Sequence, residues 1–319
     1  GAEKIEQELG DQPAVQAKLK DAIGTVYVQI GLTQPGGKLL RDAHALRLKT
    51  FGAESLETEN SVHDLGWVAE KEGDFAEAEK LYREAIAIRQ AKVEDPAEDP
   101  ALAKLWNDHG MMLVELARYE EGRALFSRGL AIRERKFGRE SAEAAESLMG
   151  LAYVHFTLAQ FREAGDLMRR VLAIREKVDG ADSMKAAEAS NNLAVMLREL
   201  GALEQAEQLY RRSGEIHGKF LGPDHPDLAS IHNNIAHVQQ DRKQLDAAEV
   251  SFRRALEIRE KAFGEMHPST ALSLMNLGSL LWMKEEIPEA AALWKRALAV
   301  REQVLGKEHP QTGFSLAQL

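Results

Sequence analysis

Residues 191–220 read NNLAVMLRELGALEQAEQLYRRSGEIHGKF. Apolar side chains recur at Leu193, Leu197 and Leu200, then at Leu203, Ala206 and Tyr210, at the three- and four-residue spacing of an amphipathic helix rather than the alternation of a strand. Gly201 separates the two runs, and a second break follows at Gly222-Pro223. Pro226 can begin the next helix, because a proline in a first helical turn lacks only an N–H that has no intrahelical partner. The stretch predicts helix, short turn, helix, loop.

That unit recurs along the chain. Gly138, Gly180, Gly222, Gly264 and Gly306 stand 42 residues apart, and Gly52 joins them once a two-residue insertion in the acidic loop VEDPAEDP is allowed for. A second column, Leu46, Ile88, Ile132, Ile174, Ile216, Ile258 and Val300, is nearly always followed by arginine. Seven copies are expected, at approximately 13–55, 56–100, 101–141, 142–183, 184–226, 227–268 and 269–310, in a single array. Residues 1–12 read as the tail of a preceding helix and 311–319 as the start of a truncated further repeat. Phe314 and Leu316 would lie exposed at such an end, so the natural protein is expected to continue past Leu319.

Small residues place the contacts between helices. The first helix of each copy carries Gly24, Gly66, Gly110, Ala152, Ala194, Ala236 or Gly278; twelve residues later the second carries Gly36, Ala78, Gly122, Ala164, Ala206, Ala248 or Ala290. Four residues beyond stands a large apolar group: Leu40, Tyr82, Phe126, Met168, Tyr210, Phe252 or Trp294. This pattern, seen as Leu65-Gly66, Ala78, Tyr82, Ala85 and again as Leu277-Gly278, Ala290, Trp294, Ala297, resembles the tetratricopeptide repeat (TPR) family over nearly the whole chain. HEAT and armadillo repeats fit the period but not the twelve-residue gap. The long period, with its surplus in the second helix and an LGxxHP loop, resembles the arrays of kinesin light chains and their bacterial relatives. The opening residues are also similar to the first repeat of arrays found in some bacterial serine/threonine kinases. The resemblance implies an all-α, right-handed α-solenoid of seven antiparallel helix-turn-helix units.

Composition and motifs weigh against chemistry. The chain has 319 residues, 44% hydrophobic and 29% charged, with a formal charge of −10 that repels a phosphate backbone, so nucleic acid is not the expected partner. Without cysteine there are no disulfides and no thiolate chemistry. No apolar run reaches the roughly 18 residues that span a membrane. His225-Pro226, His267-Pro268 and His309-Pro310 share one column; stacked helices lie about 10 Å apart, whereas zinc holds nitrogen at about 2.0 Å, so these histidines are expected to pack against or cap the next helix. His232 and His237 are five apart, not the four of a helical metal pair. GLTQPGGK, residues 31–38, has the flavour of a phosphate loop but places Gly37 where the lysine belongs. No nucleophile elbow and no kinase catalytic set occurs, so no enzyme activity, metal or cofactor is expected.

Surface remains. In the TPR family the first helices line a concave groove, and the resemblance carries two neighbouring columns onto this chain: Asp64, Asp108, Gly150, Asn192, Asn234, Asn276, and beside them His63, Asn107, Met149, Asn191, Asn233, Met275. An asparagine offers a donor and an acceptor together, which suits the backbone of an extended peptide. Further along the same face come Trp67, Tyr153 and His237, then Phe156, Arg198 and Trp282, with Met111 and Glu70 among their neighbours. The expected function is a non-catalytic scaffold that binds a protein or peptide segment in the groove through Asn107, Asn191, Asn192, Asn233, Asn234, Asn276 and these six side chains. Alternatives are the regulatory or substrate-docking region of a larger signalling enzyme such as a bacterial kinase, or a structural element that self-associates through its ends. The cytoplasm is the expected compartment, or the periplasm for a piece of a membrane-anchored kinase.

Overall fold

The structure, a computed structural model, describes residue 9 and residues 11–317. The reading of residues 1–12 as a helix tail lies, apart from residues 9, 11 and 12, outside the described residues. The described residues form fifteen α-helices and no strand: α1 Pro13–Gln29, α2 Thr33–Phe51, α3 Leu56–Glu72, α4 Phe75–Lys92, α5 Pro100–Glu115, α6 Tyr119–Phe137, α7 Ala142–Thr157, α8 Phe161–Val178, α9 Met184–Glu199, α10 Leu203–Leu221, α11 Pro226–Asp241, α12 Leu245–Phe263, α13 Pro268–Met283, α14 Ile287–Leu305 and α15 Pro310–Ala317. A short 3-10 turn, Pro96–Glu98, occupies the acidic insertion. The chain is all-α and built of consecutive packed helix pairs, the α-solenoid class of the TPR resemblance. It divides into two compact units, residues 1–154 and 155–319.

In the first unit each helix from α1 to α6 packs on the next. Tyr82 and Phe126 are each 1% exposed, wedged between the small positions of first and second helices. Glycine is required at two close approaches: a Cβ on Gly122 would lie 2.8 Å from the Gly110 carbonyl oxygen, where two backbones meet, and one on Gly150 2.2 Å from the Phe126 ring. In the second unit α8 to α15 pack in the same sequential way. One core there gathers Ala236, Ala248, Phe252, Leu277, Ala290 and Trp294.

The loops between pairs are stitched from both sides. Ser55, Asp99, Ser141 and Ser183 accept a backbone N–H from the first turn of the helix they precede. From α11 onward histidine takes over: Nδ1 of His225, His267 and His309 accepts from the N–H of Asp227, Ser269 and Gln311 at 3.3, 3.1 and 3.2 Å. These histidines are helix caps, satisfying a donor the helix itself cannot. In return Thr58, Thr270 and Thr312 donate from their helices to the carbonyls of Gly52, Gly264 and Gly306, at 2.7, 2.8 and 2.8 Å. The tight turns inside the pairs have positive φ at Gly31, Gly73, Ala117, Ala159, Gly201, Lys243 and Glu285. Residues 33–38 of the glycine-rich stretch form the first turns of α2.

Candidate binding surface

In the second unit α9 and α11 bring three of the expected asparagines to one place. Asn191, Asn192 and Asn234 line a hollow of about 350 Å³ together with Glu188, His217, Asp227, Ser230 and Ile231. Asn191 Nδ2 lies 3.4 Å from Asn192 Oδ1, a long hydrogen bond, and Asn191 Oδ1 is buried with no partner. A buried acceptor left unmatched costs about 1–3 kcal/mol. Asn233 and Asn276 behave differently: Asn276 Nδ2 donates to Asn233 Oδ1 at 2.6 Å, linking α13 to α11 and satisfying one group of each.

The larger side chains expected beside them in the second unit have contacts of their own. Arg198 Nε donates to Asp241 at 2.6 Å, so its charge is already matched across α9 and α11. His237 packs edge-on against Phe252 at 5.0 Å, and burial, followed by the nearby Arg198 charge, pushes its pKa below the ordinary histidine value. Phe156 is half-buried against Phe161, edge-on at 5.5 Å. Trp282 is 53% exposed, with its ring 5.6 Å from that of the buried Trp294.

The first unit holds a second hollow, of about 340 Å³, whose walls include His63, Asp64, Trp67, Tyr82, Lys104 and Asp108. Trp67 forms one wall while also packing on the apolar cluster of Val28, Leu40 and Val68. His63 Nε2 and Asp108 Oδ2 are 2.8 Å apart, and Lys104 reaches the same carboxylate at 3.3 Å. Burial opposes charge on His63, but its bonds to Asp108 and Asp64 outweigh that and hold its pKa above the usual value. Burial likewise opposes the Asp108 charge, and the bond to His63 reverses it, keeping that carboxyl below its ordinary range. Tyr82 donates to Glu70 at 3.0 Å behind this pair. Tyr153, at 44% exposure, lies outside the hollow's wall.

Asn107 is turned inward. It is 9% exposed, and its Oδ1 accepts from Ser147 Oγ at 3.0 Å. It therefore ties α5 to α7 instead of facing a ligand, and it drops out of the candidate set. Sequence reasoning passed over Lys104, Glu188 and His217. For His217 a signal existed: it breaks the column that otherwise reads arginine. Among the described residues, no cluster of three or more His, Asp or Glu is placed to hold a metal ion, and no helix is long and apolar enough to cross a membrane.

The family described as tetratricopeptide repeat matches residues 16–91, 101–177, 185–261 and 227–293. No curated protein matches the chain. Among solved structures, TPR-like repeats of a Podosopora anserina protein assigned as a kinesin light chain superpose with a TM-score of 0.58 at 21% identity, covering 65% of this chain and 98% of that one. Aspartyl phosphate phosphatase F from Bacillus subtilis gives 0.66 at 12% identity over 95% of this chain and 75% of that one. PilF of Pseudomonas aeruginosa gives 0.53 at 16% identity over 80% and 94%. At these identities the likeness is one of fold.

Proposed function

Because the chain belongs to the tetratricopeptide repeat family, we propose that it is a non-catalytic interaction module that takes an extended peptide segment of a partner protein against its first helices. The observation that carries this reading is the convergence of Asn191, Asn192 and Asn234 on one hollow, with Asn191 Oδ1 buried and unmatched. Side-chain amides spaced along successive first helices suit alternating backbone N–H and C=O groups, which every extended peptide presents. Trp282, 53% exposed in the same unit, supplies apolar contact area for the ligand's side chains. The net charge of −10 disfavours nucleic acid as the ligand.

The test is selection from a random-peptide display library on the full chain, followed by affinity measurement with the Asn192→Ala/Asn234→Ala variant. Both residues are only half-buried, so the variant is expected to keep the wild-type melting temperature. Two lost amide contacts should weaken selected peptides by about tenfold or more. Equal affinity, or a selection that enriches no peptide, overturns the reading.

A further inference from the structure

The residue after the second apolar column is Arg47, Arg89, Arg133, Arg175, Arg259 or Arg301 in six copies, and His217 in the fifth. In three of the six the guanidinium does the same work. Arg133 donates to Ser147 Oγ at 2.9 Å, Arg259 to Ser273 Oγ at 2.9 Å and Arg301 to Ser315 Oγ at 2.7 Å, each reaching the first helix of the following pair. Around Arg133 the chain continues: Ser147 Oγ in turn donates to Asn107 Oδ1 at 3.0 Å.

The positions equivalent to Arg133, Ser147 and Asn107, two repeats on, are His217, Ile231 and Asn191. There the relay is broken at both links. The imidazole is shorter than a guanidinium, and Ile231 has no hydroxyl to offer. Asn191 Oδ1 is consequently left buried without a donor, and the space opens into the hollow of about 350 Å³. His217 is itself 6% exposed, and its Nδ1–H donates to the Ser213 carbonyl at 2.8 Å. That bond fixes the tautomer in which Nε2 is a bare acceptor. Two carboxylates, Glu188 and Asp227, stand at the wall. Glu188 has no cationic partner among the described residues.

The structure assigns this hollow as a socket for a guanidinium-bearing side chain of the bound segment, an arginine entering from outside where the other repeats carry their own. Its N–H groups would meet Asn191 Oδ1 and His217 Nε2 inside and the Glu188 and Asp227 carboxylates at the mouth. A guanidinium has five donors in a planar fork and no acceptor, matching a site built only of acceptors at these four points. The assignment rests on the peptide-binding reading but is narrower, since it fixes the chemistry of one ligand position.

The experiment titrates N-acetyl-arginine amide into the full chain and follows the side-chain amide NMR signals of Asn191 and Asn234. The neutral isostere N-acetyl-citrulline amide is titrated in parallel. Saturable shifts with the arginine probe, and binding weaker by about tenfold or more with citrulline, are expected from loss of charge-assisted bonds. Glu188→Gln, an exposed change that leaves the fold untouched, should weaken the arginine probe several-fold. His217→Arg/Ile231→Ser restores the relay seen around Arg133 and should abolish the response while melting at or above wild type. No saturable shift, an equal response to citrulline, or an undiminished response in Glu188→Gln overturns the assignment. The titration contains no peptide, so its failure leaves a successful peptide selection standing, and an empty selection leaves a positive titration standing.

Discussion

His109 occupies a position that in the other copies is Ile23, Leu65, Leu151, Leu193, Ile235 and Leu277. It is 4% exposed, lies stacked on Tyr82 at 5.8 Å, and neither ring nitrogen has a partner. Burial drives its pKa down to about 4, with Glu79, Arg83, Arg118 and Glu121 exerting smaller and partly cancelling influences. The folded state thus favours neutral imidazole more than the unfolded chain does. The stability this residue permits is complete above its unfolded value of 6.5 and is lost as pH falls through about 4. His63 acts in the opposite sense: its raised pKa adds stability below 6.5 that fades as pH rises through the folded value. His109→Leu should stabilise the chain by about 1–3 kcal/mol at neutral pH, by removing two unmatched buried nitrogens. It should also flatten the loss between pH 6.5 and 4, read from urea unfolding of wild type and variant across that window. A variant that keeps the wild-type acid slope would show that His109 is not its source.

Each helix pair turns on one residue in the left-handed region, and the copies fill it unequally. Gly73 ends α3 with φ 81°, its neighbour Asp74 donating back to Ala69 at 2.9 Å, whereas Ala117, Ala159, Lys243 and Glu285 hold φ of 59°, 56°, 62° and 66° with a Cβ attached. A β-carbon there costs about 1–2 kcal/mol, partly offset by the greater freedom glycine has when unfolded. Glycine at any of these four sites should raise stability by about 0.5–1 kcal/mol, and the four together should add nearly independently because the turns are far apart in sequence. Thermal unfolding of the single and quadruple variants measures it. The turn itself was legible at Gly201, where punctuation and periodicity coincide. The small-residue columns and the bulky wedges were legible too, since packing repeats with the sequence. Which asparagines face a ligand was not. Asn107 and Asn191 share a column, but one meets Ser147 and the other Ile231, so burial and bonding are decided forty residues away on another helix.

At the scale of the molecule, stability is assembled from neighbours. Helices pack chiefly on those next in sequence, and ion pairs repeat the pattern between second helices, as between Arg296 and Glu260 at 2.8 Å and between Arg212 and Glu176. Local contacts of this kind favour rapid folding and localised opening. Gly278→Ala would place a Cβ 2.5 Å from Trp294 Nε1 and cost about 1–3 kcal/mol by overpacking. Amide exchange should then speed most in α13 and α14 and progressively less toward α8. Uniform acceleration from α8 to α15 would mean that the second unit opens only as a whole.

The reciprocal stitching of the inter-pair loops bears on how such a chain can be cut and rejoined. A graft that divides the sequence at Gly264-Glu265-Met266-His267 separates the His267 cap from the pair it follows and removes the hold of Thr270 on Gly264. A division at Lys243 or Glu285 opens the turn within a pair, where Gln244 N–H donates to the Gln239 carbonyl at 2.8 Å and Glu286 N–H to that of Leu281 at 2.9 Å. The transplantable cassette therefore keeps each inter-pair loop joined both to the helix before it and to the first turn of the helix after it, so that the junction falls beyond the cap and not at the glycine.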